Sequence, residues 1–213
     1  MKKLFFDKDR LGAFMDAIIA IIMTILILEL AQPAKPTLAA FLGLWRAFVS
    51  YAISFFWLAS MWTALHMAWD RIERVSQRTV WISLFLLFWA SFQPYMTKLM
   101  IRWNAERVVQ GAYGLVIIIT TLNLYWLYVS LNKDNAGTGA CGYIAIAEKN
   151  LRIDLAIKII GFVLGMLFYP QLVEIGVLIA AAYMIIGRIS LKKKVKKHHK
   201  DMSVNEHSSQ DPE

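Results

Sequence analysis

The stretch RLGAFMDAIIAIIMTILILEL, Arg10 to Leu30, decides how this chain is read. It carries Arg10 and Asp16 near its start, Thr24 within it and Glu29 at its end, and is otherwise apolar. At 1.5 Å of rise per residue a helix of this length crosses a hydrocarbon core of about 30 Å. No small-residue cleavage site follows it, and the run is too long for a secretory signal, so it is expected to stay in place as a span.

The rest of the chain has the same character. Of 213 residues, 58% are hydrophobic and 18% charged, and the mean hydropathy is +0.50. These values lie outside the range of ordinary soluble domains and describe a polytopic membrane protein. The net charge of +8 is dominated by the run KKKVKKHHK near the end. Membrane topology accounts for such a run, His198 and His199 included, through contact with anionic lipid, so no nucleic-acid partner is expected. Cys141 is the single cysteine, which excludes an intrachain disulfide and a zinc site built on thiolates.

Apolar runs and the breaks between them predict an all-α, polytopic membrane protein with six transmembrane helices. They lie at Lys8–Ala31, Thr37–Trp69, Gln77–Ile101, Glu106–Leu131, Leu151–Tyr169 and Gln171–Leu191. The breaks AQPAKP, DRIER, RWNAER, KDNAGTGACG and YPQ separate them. Residues 1–191 thus form one transmembrane domain. Residues 192–213, basic and then polar, form a tail whose composition cannot support a core. Lys2, Lys3, Lys8, Arg10, Arg71, Arg74, Arg78, Lys133, Lys149, Arg152 and the lysine run all fall on one side, which places both termini in the cytoplasm.

Residues three, four and seven apart share a helix face. From Ala17 this gives Ala17, Ile21, Thr24, Ile25 and Leu28, a stripe of mid-sized apolar side chains broken by one hydroxyl. Such a stripe faces a partner helix or a pore. Ionisable groups in a span are costly and face a bundle interior or water. Near the ends Arg10 can snorkel, Asp16 can complement the helix dipole, and Glu29 marks the span boundary or attracts cations to a mouth.

Arg10, Phe14 and Asp16, followed by Ala20, Thr24, Leu26, Leu28 and Glu29, resemble the first-helix signature of the transmembrane protein 175 potassium channels. His66 and the run LFLLFWASFQPYMT, Leu84 to Thr97, extend the likeness. Met15 stands where that family has serine, and Ser83 where asparagine is common. The resemblance implies a homotetrameric cation channel of non-standard architecture in a bacterial cytoplasmic membrane, with the first helix lining the pore. It implies a hydrophobic constriction at Ile21, Ile25 and Leu28, with Thr24 bearing on potassium preference, and no carbonyl filter. By the same resemblance Arg10, Phe14, Asp16 and His66, with Trp62 or Trp69, brace the pore helix. The expected partners are the bilayer, monovalent cations and further copies of the chain. No cofactor is expected, and potassium is the permeating ligand.

Two other readings start from different residues. Asp16, His66, Asp70 and Glu73 invite a metal or hydrolase site, but no H-E-x-x-H occurs, so an enzyme is not expected. Arg46, Asp154, Lys158 and Glu174 suit an ion- or proton-coupled secondary transporter, the alternative function. A transporter more often shows paired repeats with broken helices, and none is evident.

Overall fold

The computed structural model describes residues 6–186, so the basic tail, with His198 and His199, lies outside the described residues. Among the described residues the regular structure is helical throughout. The helices are α1 (Lys8–Leu28), α2 (Leu38–Gly43), α3 (Trp45–Trp69), α4 (Gln77–Ala90), α5 (Gln93–Trp103), α6 (Arg107–Asp134) and α7 (Cys141–Leu167). A final apolar helix, α8, spans Leu172–Ile186.

Among the described residues four segments are long and apolar enough to cross a membrane: α1, α3, α4 with α5 taken together as Gln77–Trp103, and α6. The charges of α7 keep it below that standard, and α8 is described only as far as Ile186, so the six-span count is met in full only if both also cross.

Differences from the sequence expectation have local causes. The second run divides at Leu44 into α2 and α3. The third divides at Ser91 and Phe92, one turn before Pro94, which sits in the first turn of α5. Proline has no N–H and its ring displaces the carbonyl four residues back, so a helix restarts there instead of continuing. α7 begins ten residues before the predicted Leu151, just after the turn in which Gly137 holds φ of 86°. Its charged first half is stabilised locally: Glu148 pairs with Arg152 at 3.5 Å and accepts a hydrogen bond from Tyr125 at 3.3 Å. The Arg71 guanidinium lies 4.1 Å above the Tyr143 ring.

α6 is the central post, packed on α4, α5 and α7, while α1 packs on α3, α4 and α5. Polar side chains inside this bundle pair with one another, as a low-dielectric interior requires. Ser54 lies within 3.3 Å of both the Tyr113 hydroxyl and the Gln93 amide and accepts from Thr97 at 2.8 Å. At the hairpin of α7 and α8 the backbones meet: a Cβ on Gly161 would stand 2.9 Å from the Gly176 Cα. Small residues permit this approach, as at many helix contacts in bilayers.

Between α3 and α4 the chain makes no regular structure, and Asn135 takes over its hydrogen bonds. The Asn135 carboxamide, fully buried, accepts from the N–H groups of Glu73 and Arg74 at 2.8 and 3.0 Å. It donates to the carbonyls of Arg74 and Leu131 at 3.0 and 2.9 Å. Next to it Asp134 accepts from the Ser76 N–H at 2.9 Å and the Thr79 hydroxyl at 2.6 Å. The same loop receives the start of α1: Phe6 donates to the Val75 carbonyl at 3.0 Å and the Lys8 ammonium to the Ile72 carbonyl at 2.8 Å.

Asn135→Ala strands backbone donors at a buried position, at a cost of about 1–3 kcal/mol. Thermal unfolding in detergent should show a lowered midpoint, and Asn135→Asp, which still accepts from both N–H groups, should recover part of it. An unchanged midpoint for the alanine variant would mean that the loop holds without this clamp.

Candidate functional site: the exposed face of the first helix

α1 is capped by Asp7, whose carboxylate accepts from the N–H groups of Asp9 and Arg10. Such a cap satisfies donors that the first turn leaves open. One face of the helix, with Gly12, Met15, Ile19, Ile22 and Leu26, is buried in the bundle. The other face holds Ala17, Ile21, Thr24, Ile25 and Leu28, all exposed, with Ile21 at 57%, Ile25 at 37% and Leu28 at 78%. The stripe marked out by helical spacing is therefore not packed against the other described residues of the chain. Its single polar side chain is already turned inward: the Thr24 hydroxyl donates to the Ile21 carbonyl at 2.8 Å. The hydroxyl oxygen keeps its lone pairs, so it presents an acceptor to whatever adjoins the stripe.

The signature residues separate into two groups. The Trp62 indole N–H donates to the Asp16 carboxylate at 2.8 Å. The same indole stacks on the His66 ring, with centroids 5.3 Å apart, and His66 lies 3.7 Å from Asp70. Asp16 thus reaches α3 through Trp62, and His66 supports the tryptophan instead of meeting the carboxylate. Arg10 does not join Asp16: its guanidinium is exposed and has no partner among the described residues. Positions six apart on a helix are about 120° apart around its axis, so the two side chains diverge. Phe14 is also exposed, at 46%.

Trp69 has a separate role. A Cβ on Gly12 would lie 2.1 Å from the Trp69 Cδ1, so the indole occupies the space a side chain would need. Glu29 does not stand as a free acid at the far end. Its carboxylate is 2.9 Å from the Lys98 ammonium on α5 and is mostly buried, so this end of α1 presents a neutral pair and not an uncompensated negative charge.

Of the residues suggesting a transporter, Asp154 and Lys158 form a buried pair at 2.6 Å, and Lys158 also donates to Thr121 at 2.9 Å. Both charges are satisfied within the bundle, which is the condition for burying them at all. Arg46 is exposed, with its guanidinium 5.3 Å from the Trp45 ring centre. Among the described residues no group of three or more His, Cys, Asp or Glu side chains could hold a metal ion.

Sequence reasoning missed Gly12, Lys98, Asp134 and Asn135. Gly12 left a usable signal, a lone glycine in a bulky run, whereas the other three act through long-range contacts that spacing cannot reveal.

Three comparisons bear on this geometry. The family model described as endosomal/lysosomal potassium channel TMEM175 matches residues 10–94. A potassium channel of Chryseobacterium sp. (strain P1-3) is 30% identical over 115 residues, covering 54% of this chain and 60% of that one. A potassium channel of Streptomyces collinus is 25% identical over 138 residues, covering 60% and 66%. The chain thus aligns with less than two thirds of the length of these relatives. A crystal structure of a lysosomal potassium-selective channel TMEM175 homolog from Chamaesiphon minutus superposes with a TM-score of 0.75 at 20% identity, over 84% of this chain and 96% of that one. At that identity the likeness shows the fold.

The Asp16–Trp62 bond is open to a double-mutant cycle. Trp62→Phe keeps a ring over His66 but removes the donor, and Asp16→Asn removes the charge. A coupling energy of about 0.5–3 kcal/mol in unfolding is expected for groups in direct contact. Additive effects would show that the two act independently.

Proposed function

We propose that the chain is a member of the TMEM175 potassium channel family and forms a potassium-permeable channel whose pore is lined by α1. The observation that carries this reading is the stripe Ala17, Ile21, Thr24, Ile25 and Leu28, exposed in the single chain while the opposite face of the same helix is packed.

Four chains around one axis would bring four such stripes together. Ile21, Ile25 and Leu28 would then form a hydrophobic neck about 10 Å long. A neck of this kind gates by dewetting, or passes an ion that has shed part of its water. Potassium sheds water more readily than sodium, and four Thr24 hydroxyl oxygens would supply acceptors to a partly dehydrated ion at that level. An aliphatic ring in place of carbonyl cages predicts modest selectivity. Asp16, held by Trp62, and Gly12, seated on Trp69, would fix the angle at which α1 meets its copies. The homotetramer would lie in a bacterial cytoplasmic membrane as a multi-pass protein, with both termini in the cytoplasm. With Glu29 neutralised by Lys98, cation attraction at the mouth would be weak.

Recording single channels of the purified protein in planar bilayers, with potassium opposed by sodium, tests this. Discrete steps reversing toward the potassium potential are expected. Ile21→Ser should wet the neck and raise open-channel current several-fold, and Thr24→Ala should move the reversal potential toward zero. Silence, accompanied by gradient-driven uptake into liposomes, would remove α1 from the pore and favour a transporter.

Lys98→Ala offers a further check on the mouth. It would uncover Glu29 in each subunit and increase cation current most strongly at low ionic strength, because salt screens such a field. Equal currents at low and high salt would place Glu29 away from the permeation path.

A further inference from the structure

Away from the exposed face of α1, a cleft of about 650 Å³ opens at the end of the bundle where α3 and α6 begin and α5 ends. It is more than twenty times the roughly 30 Å³ that one water occupies, and falls within the size range of small-ligand sites. Its wall has two chemically distinct ends.

The inner end is made of acceptors. Glu174, only 7% exposed, has one carboxylate oxygen bonded to the Asn104 amide at 2.8 Å. Its other oxygen, Oε1, is buried with no partner among the described residues, and so is Oε1 of Gln171, one turn earlier along the chain. Both residues line the cleft. Both oxygens are closed off in the single chain, and buried acceptors are rarely left unsatisfied, so a donor entering the cleft would be met by these two side chains turning toward it.

The outer end is cationic and aromatic. Arg46 and Arg102 line it, exposed, each beside an exposed tryptophan ring, Trp45 and Trp103. Exposed tryptophans at helix ends are the usual residues of the membrane interface. With Glu106 at the rim, the lining carries two guanidinium groups and two carboxylates, which cancel formally. A bare cation would meet the arginines, and a bare anion would meet Glu174. A neutral molecule with its two charges separated meets neither.

We infer that this cleft binds the zwitterionic headgroup of a phosphatidylethanolamine-type lipid, its ammonium donating to Glu174 and Gln171 and its phosphate facing Arg46 and Arg102. A primary ammonium has three N–H donors, as the lysine side chain does, and can satisfy both orphan oxygens. A trimethylammonium has none, so phosphatidylcholine cannot replace it. Phosphatidylglycerol has the phosphate but brings no cation to Glu174. The site does not depend on the α1 stripe, so it stands or falls separately from the conduction reading.

The test is native mass spectrometry of the full-length protein, released from detergent after equilibration with equal amounts of phosphatidylethanolamine, phosphatidylcholine and phosphatidylglycerol. Phosphatidylethanolamine should be retained preferentially. Glu174→Gln preserves shape and the bond from Asn104 but removes the charge, and should lower that retention about tenfold, the scale of losing one charge-assisted hydrogen bond. Gln171→Leu, at a half-buried position, gives a second variant if the first folds poorly, and should lower retention in the same direction. Equal retention of the three lipids, or unaltered retention in a folded variant, would overturn the assignment. Binding of soluble phosphoethanolamine without retention of any lipid would overturn the lipid as its source.

Discussion

The position of α1 rests on a hydrogen-bonded clamp more than a hundred residues further along the chain. Asn135, at the end of α6, closes both donor and acceptor groups of the loop between α3 and α4. That loop in turn takes the backbone of Phe6 and the ammonium of Lys8. Unpaired backbone groups are costly wherever water is scarce. A single carboxamide that satisfies the loop therefore also fixes the point from which α1 rises. From there the helix is held along its length by apolar burial, by Trp62 on Asp16 and, at its far end, by Lys98 on Glu29.

These attachments all lie on one side. From Ala17 to Leu28 the side left over is apolar apart from a threonine whose proton is already given to its own helix. This division explains why charged and hydroxylated residues persist in so apolar a helix. Asp16 and Glu29 are attachment points to α3 and α5, and Thr24 is the polar break in the free face between Ala17 and Leu28. Arg10 is not an attachment within the described chain.

Much of this could be read from the sequence, for specific physical reasons. Helical periodicity separates Ala17, Ile21, Thr24, Ile25 and Leu28 from Met15, Ile19, Ile22 and Leu26 without any long-range information. It cannot say which of the two faces is packed, since both are apolar, and the structure resolves that choice. The break at Ser91 and Phe92 was implicit in Pro94, while the early start of α7 was hidden by charges at Glu148 and Arg152 that pair with each other. Pairings such as Glu29 with Lys98 or Asn135 with the Glu73 backbone join residues more than sixty positions apart. No local pattern encodes them.

The contact between Gly12 and Trp69 limits how α1 can move. The indole fills the space beside the only residue of that turn lacking a Cβ, so turning the helix about its axis would drive the side chain of Leu11 or Ala13 into the ring. A rearrangement of α1 must then slide or tilt the helix with Trp69 in tow, carrying α3 as a rigid companion. The moving part is a helix pair, and its pivot is set by a missing methyl group.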